Sequence, residues 1–157
     1  MSLPHRIRAE PLTAAAFRPF GQVIEAHGSP DRIINDGMCG RFHDLIEIDV
    51  RDGRAGLSIF RAVPRALPYW LSMVERHPLG SQAFVPMTQH PFLVTVANPG
   101  EVRAFLAGPG QGVNFARGTW HGVLTPLHSP GLFAVIDRIG ETPNLEEHWF
   151  ETPYVVE

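Results

Sequence analysis

Along most of this chain, apolar and polar residues alternate with a period of two. Ile46, Ile48 and Val50 alternate with Glu47 and Asp49, which predicts a half-buried strand. Residues 56–62 (GLSIFRA) predict another, with Leu57, Ile59 and Arg61 on one face. Leu71, Met73, Glu75 and His77 share a face of a third, and 82–87, 92–98, 102–106, 123–127 and 132–138 continue the series. Only residues 11–17 read as helix, with Thr13 as N-cap and Pro19 and Gly21 soon after the end, together with a small stretch near 144–148. Strands at intervals of about ten residues, separated by Pro, Gly, Asn and Asp, predict an antiparallel sandwich or barrel. No long helical pattern interrupts them, which argues against a doubly wound parallel sheet. The expected fold is all-β with a short N-terminal helix, in one domain over 1–157.

Composition narrows the chemistry. The chain has 157 residues, a length at which roughly 68–70% of the unfolded surface can be buried, so a core needs no covalent staples. Fifteen glycines and fifteen prolines, scattered rather than clustered, match the many turns. All thirteen basic residues are arginine. Without lysine there is no side-chain Schiff base and no Walker-type phosphate loop. The single cysteine, Cys39, excludes an intramolecular disulfide framework and a Cys-cluster metal site, and its Gly37-Met-Cys-Gly40 setting offers no base to activate it. A net charge of -3 without a basic stripe argues against nucleic acid as the main partner. The chain shows no apolar leader and no apolar run long enough for a membrane, so a soluble cytoplasmic protein is expected.

Polar residues break the strand logic in three places. In Glu75-Arg-His77-Pro-Leu-Gly80-Ser-Gln82, the face of Leu71 and Met73 continues into two groups able to bind metal or carry protons. In Gly110-Gln-Gly-Val-Asn114-Phe-Ala-Arg-Gly118-Thr-Trp120-His121, a glycine-punctuated loop ends in an imidazole. The third is Arg61, which shares a strand face with Leu57 and Ile59. The spacing of the first two resembles the two motifs of the cupin superfamily. Glu75-x-His77, four residues and Gln82 stand for the first motif; Gly110, Gly118 and His121 hold places of the second, with Ala116 where a proline is usual. The resemblance implies a small β-barrel with these side chains directed inward. Glu75, His77, Gln82 and His121 are then the candidate ligands of a divalent metal, Gln82 being the weakest because it is neutral. A hydrogen-bonded polar patch without an ion is the alternative.

More of the chain is similar to a narrower group. Arg41-Phe-His43-Asp-Leu45, Ser58-Ile-Phe-Arg61-Ala62, Glu75 through Phe84, Arg103-Ala-Phe105, Gly110 through Asn114, Arg117 through His121 and Ile136-Asp-Arg138 resemble, in order and spacing, the ureidoglycolate lyase family. The resemblance spans about residues 8–140, and the uninterrupted ERHPLGSQAF block is its most specific part. It implies a cupin-like barrel, usually a homodimer, that splits (S)-ureidoglycolate into glyoxylate and urea in allantoin and purine-nitrogen catabolism, with nickel as an associated metal. The second motif departs from the family pattern, which has Tyr-His and two consecutive histidines where this chain has Phe115-Ala116 and His121-Gly122.

The residue types fit such a reaction. A base must take the hydroxyl proton as the new C=O forms, and an acid must protonate the departing urea nitrogen. His121 and His77 are the candidate base and acid, with Glu75 pairing with them or ligating a metal. Arg61 is the candidate for the substrate carboxylate, since a planar guanidinium can grip it with two hydrogen bonds. Arg76 lies on the opposite strand face. Gln82 and Asn114 are candidates to hydrogen-bond the ureido group or orient a histidine, and Trp120 and Phe84 for stacking, although such aromatics are more often core. Asp137 and Arg138 read as an ion pair at the rim. Two further readings remain: a non-catalytic cupin module that binds a small carboxylic acid, and a related cupin enzyme acting on another hydroxy acid.

Overall fold

Two sheets face each other across one apolar layer in the computed structural model, which describes residues 2–157. The larger sheet runs in the order His5–Ile7, Glu146–Val156, Tyr69–Arg76, Trp120–His121, Phe92–Asn98, Glu101–Ala107 and Glu10–Pro11, with Thr125–Pro126 also paired to Phe92–Asn98. The smaller one is ordered Gly21–Ile24, Gly112–Phe115, Gln82–Pro86, Gly131–Ile139 and Arg54–Ala62. A separate two-stranded hairpin joins Arg32–Ile34 to Cys39–Arg41. This is the expected all-β, cupin-like sandwich.

The period of two is what builds the core. Phe92, Val94 and Val96 from the large sheet meet Phe84, Val113, Phe115, Phe133 and Val135 from the small one. Burying each such side chain is worth about 1.5–3 kcal/mol. Leu93 and Ala104, which alternate with Val94 and Phe105, enter a second cluster with Tyr69, Leu71, Val74 and Val156. Phe92–Asn98 is central, and its first five residues are buried on both faces. Arg54–Ala62 is an edge strand, and its burial alternates down its length.

Local signals held where the chain could satisfy them alone. The helix is Ala14–Phe17, and the Thr13 hydroxyl accepts from the Ala16 N–H at 3.2 Å. Several expectations do not hold. Residues 46–49 form no strand, and Val50 makes only a single bridge to Gly80. The backbone of Asp49 is instead taken up by Ser81, and the Glu47 carbonyl accepts from Asn114. The stretch near 144–148 is not helical: Glu146 to Trp149 pair with Arg76 to Met73, and sheet hydrogen bonding outweighs a weak local preference. Of 123–127 only Thr125–Pro126 is strand. The presumed loop 110–121 contains two strands, Gly112–Phe115 and Trp120–His121. Two pairings are parallel rather than antiparallel, namely His5–Ile7 with the C-terminal strand and Glu10–Pro11 with Glu101–Ala107. No helix among the described residues is long and apolar enough to cross a membrane.

Candidate active site

Strand register brings the two motifs together. His121 lies directly opposite Glu75 in the antiparallel pairing of Trp120–His121 with Tyr69–Arg76, so both side chains leave the same face of the sheet. His77 follows at the end of that strand, and the His77 and His121 ring centroids are 5.3 Å apart. One ligand atom from each of Glu75, His77 and His121 lies within 4.8 Å of the others.

The turn between Phe115 and Trp120 locks the second motif onto the first. Gly118 adopts φ +78°, a left-handed conformation that favours glycine, and its N–H donates to the His77 carbonyl at 3.0 Å. Arg117 reaches the Pro78 carbonyl at 3.2 Å and the Asp49 carboxylate at 3.1 Å. From the other side, the Asn144 side chain accepts from the Leu79 N–H at 2.7 Å.

Hydrogen bonds set both imidazoles in one tautomer. His77 Nδ1 lies 2.9 Å from the Asn144 carbonyl and His121 Nδ1 lies 2.9 Å from the Gly122 carbonyl. A carbonyl only accepts, so each Nδ1 carries the hydrogen and each Nε2 keeps its lone pair. Both Nε2 atoms are buried and have no partner among the described residues. Two bare nitrogen lone pairs beside a carboxylate form a set of acceptors without a donor. That set fits a divalent cation or the hydrogen of a bound hydroxyl.

Burial tunes the three groups unequally. His121 is 2% exposed and stacks on Phe115 at 4.2 Å with the rings 5° from parallel. Burial drives its pKa down to about 4; the Gly122 carbonyl opposes this, and the nearby His77 adds to it. The imidazole therefore stays neutral. Burial pushes the Glu75 carboxyl up, His77 acting against this and Glu147, its neighbour on the next strand, with it.

The remaining candidates fall into separate places. Gln82 is buried, and its strand partner is Phe115, the ring that stacks on His121. Asn114 is buried on the opposite face from Val113 and Phe115, donating to Gln22 at 2.8 Å and to the Glu47 carbonyl at 3.1 Å. Phe84 belongs to the core, edge-on to Phe60 and Phe115. Trp120 packs with the second cluster under the Arg76 guanidinium, 4.7 Å away, and Arg76 also pairs with Glu146. Arg61 is exposed in the row of Leu57 and Ile59, while Phe60 takes the core side of that edge strand. It does not share the interior with the triad. Asp137 and Arg138 are not paired with each other: Arg138 is buried and donates to the carbonyls of Arg51, Asp52 and Thr142.

Neither departure in the second motif removes a member of the triad. Ala116 is exposed on the turn. A Cβ at Gly122 would meet Thr95 Oγ1 at 2.1 Å and Leu71 Cδ1 at 3.1 Å, so a side chain there would face those residues. As site residues, Asn144 and Arg65 were absent from the sequence reading, and Asp137 stood there only as half of a rim ion pair. Asn144 had no signal beyond its place in a turn. Asp137 did have one, because Phe133-x-Val135-x-Asp137 is a single strand face. Arg65 lines a recess of about 410 Å³ together with Tyr69, Met73, Glu75, Val123 and Glu147, and forms no ion pair among the described residues.

A family model described as ureidoglycolate lyase matches residues 4–157. The chain is 55% identical to a Rhodobacter capsulatus protein named ureidoglycolate lyase, over 97% of this chain and 98% of that one. It is 53% identical to a Chelativorans protein of the same name, over 96% of each, and 52% identical to ureidoglycolate lyase 2 of Rhizobium meliloti, over 94% of each.

Proposed function

The chain belongs to the ureidoglycolate lyase family, and on that premise we propose that it cleaves (S)-ureidoglycolate to glyoxylate and urea at the Glu75–His77–His121 centre. The observation that carries this reading is the convergence of two buried, unpartnered imidazole lone pairs on a carboxylate whose pKa is raised. The substrate carbon bears a hydroxyl, a carboxylate and the ureido nitrogen. As the hydroxyl loses its proton, the C=O forms, the C–N bond breaks with its electron pair going to nitrogen, and that nitrogen takes up a proton. No water is consumed.

Each group has a part suited to its surroundings. His121, held neutral, accepts and orients the hydroxyl throughout the working pH range but is too weak a base to keep the proton. His77, half-buried at the strand end, takes it. Glu75, more basic than an ordinary carboxyl, delivers a proton to the leaving nitrogen. Arg65, on the recess that reaches Glu75, holds the substrate carboxylate in place of Arg61. Alternatively, the same three residues would hold a divalent cation such as nickel, which would occupy the two imidazole lone pairs and supply Lewis-acid polarisation of the substrate oxygen in place of proton uptake by His77. The reading carries with it a cytoplasmic role in allantoin degradation.

Purified protein incubated with racemic ureidoglycolate should release glyoxylate and urea in equal amounts and consume one enantiomer. Absence of turnover with and without added nickel or manganese, despite saturable glyoxylate binding, would favour the binding module over the lyase.

We also read the protein as a homodimer. The outer face of the Arg54–Ala62 edge strand supports this: Leu57 is 68% and Ile59 56% exposed beside an unpaired strand edge. Leu57→Glu with Ile59→Lys should convert a dimer into a monomer in sedimentation. Unchanged sedimentation would place the interface elsewhere.

A further inference from the structure

We infer that Asp137 is a positioning residue that sets the Gln82 carboxamide to receive the ureido group, an assignment that rests on the lyase reading above. Gln82 is only 7% exposed. On one side its strand pairs with Gly112–Phe115, which places Gln82 opposite Phe115 and one ring away from His121. On the other side Ala83 pairs with Ile136, bringing Asp137 alongside. Gln82 Nε2 donates to Asp137 Oδ2 at 3.1 Å.

That contact decides which end of the amide faces inward. An ionised carboxylate only accepts, so it selects the NH₂ end of Gln82 and turns Oε1 away. Asp137 is free to do this because Arg138, its sequence neighbour, is committed to backbone carbonyls and Thr142. Gln82 Oε1 is then a buried acceptor with no partner among the described residues. Buried acceptors are rarely left unmade, so an orphan on the residue opposite Phe115, the ring that stacks on His121, calls for a ligand that donates. The ureido group ends in N–H donors, whereas the glyoxylate half of the substrate offers only its hydroxyl, which the two imidazoles already take. The geometry therefore assigns Gln82 to the urea end of the site and leaves the carboxylate end to Arg65.

The division is open to test by product inhibition, in which each product reports one end of the site. Asp137→Asn removes the obligate acceptor and lets the Gln82 amide turn over. Its KM for ureidoglycolate should rise about tenfold, the upper value of one neutral hydrogen bond, with kcat reduced less than threefold. The inhibition constant of urea should rise by the same factor, while that of glyoxylate stays within twofold. Gln82→Met should behave alike. The double variant Gln82→Glu/Asp137→Asn keeps the net charge and still directs an acceptor oxygen inward, so it should recover most of the lost urea affinity. A general packing role for Asp137 would instead raise both inhibition constants together and give no recovery. If Gln82 Oε1 serves a cation, Asp137→Asn weakens nickel binding measured by calorimetry and leaves urea inhibition unchanged. Either result overturns the assignment. A wild-type protein that does not turn over ureidoglycolate overturns the lyase reading and this inference with it, whereas an active wild type with an unaffected Asp137→Asn variant overturns this inference alone.

Discussion

Replacement of His121 by alanine is expected to lower kcat/KM for ureidoglycolate by roughly 10²–10³-fold, the usual cost of removing one preorganised group that holds the reacting oxygen. The reason is the completeness of its commitment. One nitrogen is held by the Gly122 carbonyl, one face lies on Phe115, and the other nitrogen is directed, unpartnered, toward Glu75 and His77. Neither position where the family pattern has a further histidine offers a substitute: Ala116 is solvent-exposed, and a side chain at Gly122 would face Thr95. Because alanine also opens a cavity beneath Phe115, His121→Gln serves as a second variant that refills much of the space without restoring the imidazole. Glyoxylate release measured against thermal midpoint separates lost chemistry from lost fold. His77→Ala should fall in the same range. Wild-type rates in folded His121 and His77 variants would remove the triad from the mechanism.

The metal-free protein should lose about 3 kcal/mol of stability through His121 alone as the pH falls from about 6.5 to about 4. An imidazole whose pKa is about 4 when folded and 6.5 when unfolded binds its proton more weakly in the native state. Its contribution is therefore complete above the unfolded value and is lost as acidification passes through the folded one. Each pKa unit is worth about 1.4 kcal/mol, and the gap is roughly two and a half units. Glu75 acts in the opposite sense. Its raised pKa means the folded state holds the carboxyl proton more tightly, so its stabilisation is present in acid and fades as the pH rises through the folded value. Other carboxylates titrate in the same window, so the diagnostic quantity is the difference between wild type and His121→Gln. Guanidinium unfolding of both proteins across pH 4–7 should show that difference shrinking by about 3 kcal/mol toward acid. A difference that does not vary with pH would mean His121 is not held neutral by burial.

Much of this architecture was open to reading from alternation. The strand Gly131–Ile139 follows directly from a period of two, Phe92–Asn98 from a short apolar run bounded by turn residues, and Leu71, Phe84 and Val94 are core positions on strands read the same way. The failures share a cause. Residues 46–50 alternate as well as any strand, yet they run as a loop whose backbone is taken up by the side chains of Gln22, Ser81 and Asn114. The short strand Trp120–His121 carries no strand signal of its own and exists because Glu75 and Val96 lie on either side of it.

The sequence by itself determined the chemistry available. Without lysine and with one cysteine, the chain leaves arginine, histidine and carboxylates to do the work; Glu75 and His77 were legible because they interrupt an apolar strand face, and His121 because it ends a glycine-punctuated segment. Tertiary structure decided which of the other polar residues could join them. Arg61 and Asn114 carry suitable groups, but the side of a strand on which a residue falls depends on which face the opposing sheet covers, and that is known only once the sheets pack. The same packing buried the orphan oxygen of Gln82 beside Asp137, brought Asn144 under His77, and left Arg65, rather than Arg61, at the recess that opens on Glu75.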